Sequence, residues 1–148
     1  MKYAKKLNNL DNVIVRDSLK NFYVNGKKYG YQFELKLDYY RGHFLSVIDE
    51  FEVHVDGERV PDEHIKFCIN GKAFSPIEFD KCYSEFWPVT EAAVIKVIAP
   101  GGLAEGEHQV DVIMYYRSPY MPIGDNHEYM AIDNCGSRKM VITDQEGK

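Results

Sequence analysis

Apolar and polar residues alternate through much of this chain, and Asn-Gly and Asp-Gly pairs punctuate the alternation. Period two marks a half-buried strand, because successive side chains point to opposite faces of a sheet. Asn-Gly and Asp-Gly accept positive φ at both central turn positions, as a two-residue type I′ hairpin requires. The first pair is Asn25-Gly26. Residues 21–24 lead into it, and Tyr29, Tyr31, Phe33, Leu35 and Leu37 then share one face while Gln32, Glu34 and Lys36 take the other. This predicts Phe22 opposite Tyr29. Around Asp56-Gly57, Phe51, Val53 and Val55 alternate with Glu52 and His54, Val60 falls opposite Val53, and Pro61 ends the hairpin. Around Asn70-Gly71, Ile65, Phe67 and Ile69 approach and Ala73-Phe74 leaves, which sets Phe67 against Phe74. Asp49-Glu50 interrupts the alternation from Leu45 and Val47 to Phe51, so a bulge is expected there.

The second half continues the pattern. Ser75-Pro76-Ile77-Glu78 reads as a capping box with Pro at the first helical position, so one short helix is expected near residues 76–84. Pro88 enforces extended chain. Residues 93–99 form a strand and residues 100–106 a loop. Val110, Val112, Met114 and Tyr116 then share one face of the longest alternation. Ile113 and Tyr115 lie on its other face, which suggests that this face too is partly covered, as a partner could do. Residues 118–124, with two prolines, are expected to break this strand, and residues 139–143 to add a last one. The fold class is all-β: an antiparallel β-sandwich with one short helix. It forms a single domain over 1–148, with 1–9 and 144–148 expected to fray.

Composition narrows the function classes. Eighteen basic and 23 acidic residues give a net charge of −5, with no basic run, so nucleic acid is not an expected partner. No apolar stretch approaches the roughly 20 residues of a membrane helix, and no apolar run follows the charged start as in a signal peptide. Cys68, Cys82 and Cys135 are odd in number and irregularly spaced, which fits a reducing, cytoplasmic setting.

Chemistry is hard to find in these residues. His43, His54, His64, His108 and His127 show no metal-ligand spacing, and no nucleophile motif is present. His54 lies on the polar side of its strand. His108 opens an apolar face, where a satisfied or edge histidine is the plainer reading. Cys68 shares a face with His64 and Lys66, and a structural thiol is again the plainer reading. Gly101-Gly102 lacks the Lys-Ser/Thr and the helix of a phosphate loop. No catalytic residue and no metal ligand is therefore assigned to this chain. What remains is aromatic surface in irregular chain: Tyr39, Tyr40, Arg41, His43 and Phe44, and then Tyr120, Met121, Pro122 and Ile123. Tyr, Arg and Met are enriched at protein interfaces, and these nine residues are the candidate subunit interface; the alternative, equally open here, is that the rings pack on the domain's own core.

Several segments together resemble the β subunit of bacterial C-glycoside deglycosidases. They are Tyr39-Tyr40-Arg41-Gly42 with Leu45-Ser46 and Ile48, then Phe51, Val53 and Val55-Asp56-Gly57-Glu58, and Phe67 with Ile69-Asn70-Gly71-Lys72. Pro100-Gly101-Gly102-Leu103 with Gly106-Glu107-His108, and Tyr120-Met121-Pro122, complete the set. Each fragment is common; their order and combination are specific, over roughly residues 30 to 122. The resemblance implies a small β-sandwich bound to a larger, barrel-type α subunit, in a hetero-oligomer with several copies of each. It places a divalent metal, typically manganese, in the α subunit, and no cofactor in this chain. The implied reaction cleaves the carbon–carbon bond between a 3-oxo-sugar and an aromatic, flavonoid-type aglycone. A ketone at C3 acidifies the C2 proton, a metal can polarise the ketone, and a base removes the proton. The competing expectation is a stand-alone carbohydrate- or flavonoid-binding sandwich that uses its tyrosines as a stacking platform.

Overall fold

The structure is a computed structural model that describes residues 12–39, 41–123 and 128–143, with side chains for 12–39, 41–120 and 129–143. Its strands are β1 (Lys20–Val24), β2 (Lys27–Leu35), β3 (His43–Phe44), β4 (Ile48–Val55), β5 (Glu58–Arg59) and β6 (Ile65–Ile69). They continue as β7 (Lys72–Phe74), β8 (Phe86–Trp87), β9 (Ala93–Ile98), β10 (Gly106–Ile123), β11 (Glu128–Asp133) and β12 (Gly136–Ile142). One sheet has the order β1-β2-β9-β6-β7; the other has β11-β10-β4-β5, with β12 also on β10; β3 and β8 form a two-stranded ribbon. Every pairing is antiparallel.

The core lies between the two large sheets. Phe33, Leu35, Ile65, Phe67 and Ile95 face Val53, Val110, Val112, Met114 and Tyr116, all buried. Burial of such side chains is worth about 1.5–3 kcal/mol each. Phe51 of β4 meets Phe67 of β6 edge-on at 5.5 Å, and Phe67 meets Trp87 at 5.1 Å, so the layers interlock through aromatic rings. Val13 and Ile14, ahead of β1, also enter this core, and Ile14 bridges to Leu35.

The three predicted turns carry positive φ at both centres: Asn25 and Gly26, Asp56 and Gly57, Asn70 and Gly71. Phe67 pairs with Phe74, and the Val60 amide donates to the Val53 carbonyl. The bulge falls where expected: Tyr115 pairs with Glu50 and Tyr116 with Ile48, which leaves Asp49 as the extra residue.

Several expectations need correction. Phe22 pairs with Gly30 rather than Tyr29, because the register slips between Phe22 and Tyr23; Tyr29 is left half exposed, although the two rings stay 6.1 Å apart. The helix is a 3-10 segment, Pro76–Lys81, that stops short of residue 84; its capping box is formed by Ser75 and Glu78. Residues 118–123 do not break the strand. β10 runs through to Ile123, because Arg117 pairs with Ala131 and Pro122 with Tyr129, so residues 118–121 stand against Met130 alone. In that bulge Pro119 owes no ladder hydrogen bond. The last strand is longer than expected, and β11 was not anticipated at all. The frayed ends expected at 1–9 and 144–148 lie outside the described residues.

Candidate functional site

β10 spans the molecule, and each of its ends holds a polar cluster. At one end, Asp38 and Tyr39, and then Arg41 to His43, lie beside Ser118. Asn134, between β11 and β12, holds Asp38. Its Oδ1 accepts from the Asp38 amide at 2.6 Å, and its Nδ2 donates to the Lys36 carbonyl at 3.1 Å. Tyr39 then turns inward, and its hydroxyl lies 2.9 Å from Ser118 Oγ. Gly42 follows because nothing larger fits: a Cβ there would lie 2.5 Å from the Trp87 carbonyl oxygen and 2.6 Å from the Phe86 ring. That close approach lets β3 pair with β8, His43 against Trp87 and Phe44 against Phe86.

Alternation within this short ribbon sends His43 inward and Phe44 outward. His43 is 4% exposed and is packed among Tyr39, Tyr116 and Tyr120, with ring centroids 4.7, 4.7 and 5.3 Å away. Its Nδ1 lies 3.0 Å from the Arg41 carbonyl oxygen and its Nε2 3.1 Å from Ser118 Oγ. Burial pushes its pKa down to about 4, although the hydrogen bond to the Arg41 carbonyl pulls the other way. The ring is therefore neutral near pH 7. Tyr116 is fully buried beside it; its hydroxyl finds no hydrogen-bond partner among the described residues, and burial, with Tyr39 and Asp38 nearby, raises its pKa.

The outer layer of this end is apolar and cationic. The Arg41 guanidinium lies 4.7 Å from the centre of the Tyr120 ring. Phe44 and Phe86 stack edge-on at 5.0 Å, and Phe86 rests on Gly42, the residue next to Arg41 in the chain. Phe44, Phe86 and Tyr120 are 42%, 37% and 39% exposed. Of the expected interface residues, then, Arg41, Phe44 and Tyr120 are at the surface, whereas Tyr39 and His43 are buried beneath them. Tyr40, and the side chains of Met121, Pro122 and Ile123, lie outside the described residues. Phe86, Tyr116 and Ser118 were missed. Phe86-Trp87 is too short a strand to show a period, and Ser118 was hidden in a stretch read as a break.

At the other end of β10, His108 closes a clip. Its Nδ1 lies 2.7 Å from Asp56 Oδ2 and its Nε2 2.7 Å from the Ala104 carbonyl oxygen. Both partners accept, so the geometry suits the doubly protonated ring. Burial works against that charge, but the Asp56 carboxylate and the Ala104 carbonyl outweigh it and the pKa is raised. The Asp56 pKa is lowered in turn, first by the hydrogen bond from His108. Asn21 pairs reciprocally with Leu103, at 2.9 and 2.8 Å, and Gly102 must be glycine: its φ is +62° and a Cβ would strike the Asn21 side chain. The glycine-rich segment and His108 are thus parts of one loop anchor. An open groove of about 490 Å³ lies beside it, lined by Tyr31, Arg59, His64 and Leu103 among others.

The other candidates are structural. His54 Nε2 bonds Glu52 at 3.0 Å. The thiol of Cys68 is raised by burial, which outweighs the lowering effect of Lys96 and Lys66. All three cysteines are free thiols. Among the described residues no three His, Cys, Asp or Glu side chains converge as metal ligands, and no helix is long and apolar enough to cross a membrane.

What the two ends of the fold define is a small β-sandwich with a preformed aromatic face, and comparison with known proteins gives that class its place. The sequence profile of the C-glycoside deglycosidase beta subunit matches residues 10–120, and the chain belongs to that family. It is 41% identical over 98 residues to a C-glycoside deglycosidase beta subunit of Eubacterium cellulosolvens, covering 66% of this chain and 67% of the relative. A second such subunit, from Microbacterium trichothecenolyticum, is 32% identical over 110 residues, covering 72% and 80%. A 3'-dehydrocarminate deglycosidase beta subunit from a Microbacterium species is 28% identical over 122 residues, covering 82% and 87%. Membership of a β-subunit family implies a partner subunit and a glycoside-cleaving complex.

Proposed function

We propose that this chain is the small subunit of a C-glycoside deglycosidase whose larger, barrel-type subunit carries the reacting groups. The observation that carries this reading is the family match over residues 10–120. The complex would cleave the bond between a 3-oxo-sugar and an aromatic aglycone, in several copies of each chain and in the cytoplasm, a setting the free thiols favour. The chemistry calls for a Lewis acid at the C3 ketone and a base at C2. We assign both, and the divalent metal, to the larger subunit. This chain's part is to dock, and the face made by Arg41, Phe44, Phe86 and Tyr120 is the surface that meets its partner. It joins a cation–π pair to an edge-stacked Phe pair, a composition typical of the centre of an interface. A sugar-stacking role is less well served, since Tyr39 is buried and Arg41 covers part of the Tyr120 ring.

The test is co-expression with a barrel-type deglycosidase subunit and assay on a 3-oxo-C-glucoside. The purified pair should release the aglycone while this chain alone should not. Activity from the isolated chain, or an unchanged rate when the larger subunit is assayed without it, would sink the reading.

A further inference from the structure

Arg41 and Tyr120 come from different parts of the chain, yet one buried pair of side chains holds both backbones. His43 meets the Arg41 carbonyl, and Ser118 Oγ accepts from the Tyr120 amide at 3.3 Å. We propose that Ser118 and His43 are positioning residues of the docking face: through the Arg41 carbonyl and the Tyr120 amide they set the cation–π pair that the larger subunit meets. This rests on the docking reading given above.

The proton count supports it. A carbonyl can only accept, so Nδ1 of His43 carries the hydrogen. In the neutral ring Nε2 is then an acceptor, and Ser118 must donate its single proton there. Ser118 Oγ also lies 2.9 Å from the Tyr39 hydroxyl oxygen and accepts from the Tyr120 amide. One hydroxyl thus meets His43, Tyr39 and Tyr120 at once. A Ser–His contact could also suggest a nucleophile. Here Ser118 is fully buried, its lone pairs are engaged, and His43 spends its other nitrogen on a main-chain carbonyl, so no substrate atom has a place beside Oγ. The pair acts by geometry.

Replacing Ser118 by Ala removes the hub. It takes Ser118 Oγ away from His43 Nε2, the Tyr39 hydroxyl and the Tyr120 amide, and unties Tyr120 from His43 and Arg41. The experiment has two arms. In the isolated chain, nitrogen-15 NMR should show His43 protonated at Nδ1 only, and S118A should speed hydrogen exchange of the Tyr120 amide about tenfold more than that of β9 amides. In the complex, titration against the labelled larger subunit should show S118A and R41A each weakening binding about tenfold, with the double variant no worse than the weaker single. Y39F, which keeps the link from His43 through Ser118 to Tyr120, should lose less than threefold. If S118A does not fold, S118C, which keeps the volume with a weaker hydrogen bonder, takes its place with the same expected non-additivity.

Fully additive losses, or an unchanged Tyr120 amide, would overturn the positioning role while leaving docking intact. An R41A chain that binds like the wild type would remove the docking reading itself, and the proposal with it.

Discussion

Single residues at the His43 end carry opposing costs. The folded-state pKa of His43 is about 4 against an ordinary 6.5, so the unfolded chain takes up its proton first on acidification. The neutral ring's contribution is therefore fully present above pH 6.5 and is lost progressively as the pH falls to about 4. The loss by pH 4 is about 3 kcal/mol by linkage. Urea unfolding at pH 7 and pH 4.5 should show this slope in the wild type and a clearly smaller one in H43Q, each referred to its own value at pH 7. Tyr116 makes the converse case. Its hydroxyl is buried and has no partner among the described residues, and such a group costs about 1–3 kcal/mol. Tyr116→Phe should raise the urea midpoint, by an amount equivalent to about 1 kcal/mol. A midpoint that falls would show that the hydroxyl is doing something the packing does not reveal.

Among the elements, the two-residue ribbon β3–β8 matters out of proportion to its length, since it turns His43 in and Phe44 out. Gly42 makes the ribbon possible by leaving room for the Trp87 carbonyl and the Phe86 ring. Gly42→Ala should cost about 1–3 kcal/mol by overcrowding. It should also weaken capture of the larger subunit, because Phe44 and Phe86 would separate; calorimetric melting and a binding titration check the two effects. The long strands were legible in the sequence because each shows one clean period and ends at a turn whose residues demand positive φ. The Asp49 bulge was legible for the same reason, as a break in a period otherwise kept. The ribbon was not, because two residues cannot show a period. β11 was not, because Ala131 and Ile132 are adjacent and both buried, which breaks the alternation. The surface segment of the candidate site was found through its composition. Its depth was not, since a tyrosine and a histidine beside an arginine fit an interface or the domain's own core equally well until the ring contacts of His43 are seen.

Across the whole molecule, the two ends of β10 answer pH in opposite directions. The His43 end gains stability as the pH rises from 4 to 6.5. At the far end, the raised pKa of His108 means that its contribution is full below 6.5 and is lost as the pH climbs through the folded value. The lowered pKa of Asp56 means that its contribution is lost below about 3.8. The His108–Asp56 clip is thus strongest between those limits. Asp56→Asn should bring the His108 titration, followed by proton NMR, back toward or below 6.5. Because the clip lies at the opposite end from Arg41 and Tyr120, affinity for the larger subunit should stay unchanged; a large loss would mean that the partner reaches both ends.

β10 also constrains how this protein can vary over time. The clip histidine, the inward row from Val110 to Tyr116 and the Ser118 hub sit at even steps along a single strand. One residue gained or lost between positions 108 and 118 would turn everything beyond it to the other face. Substitution can therefore tune this stretch, whereas a change of length within it would have to be absorbed by a bulge, as Asp49 is on the neighbouring strand.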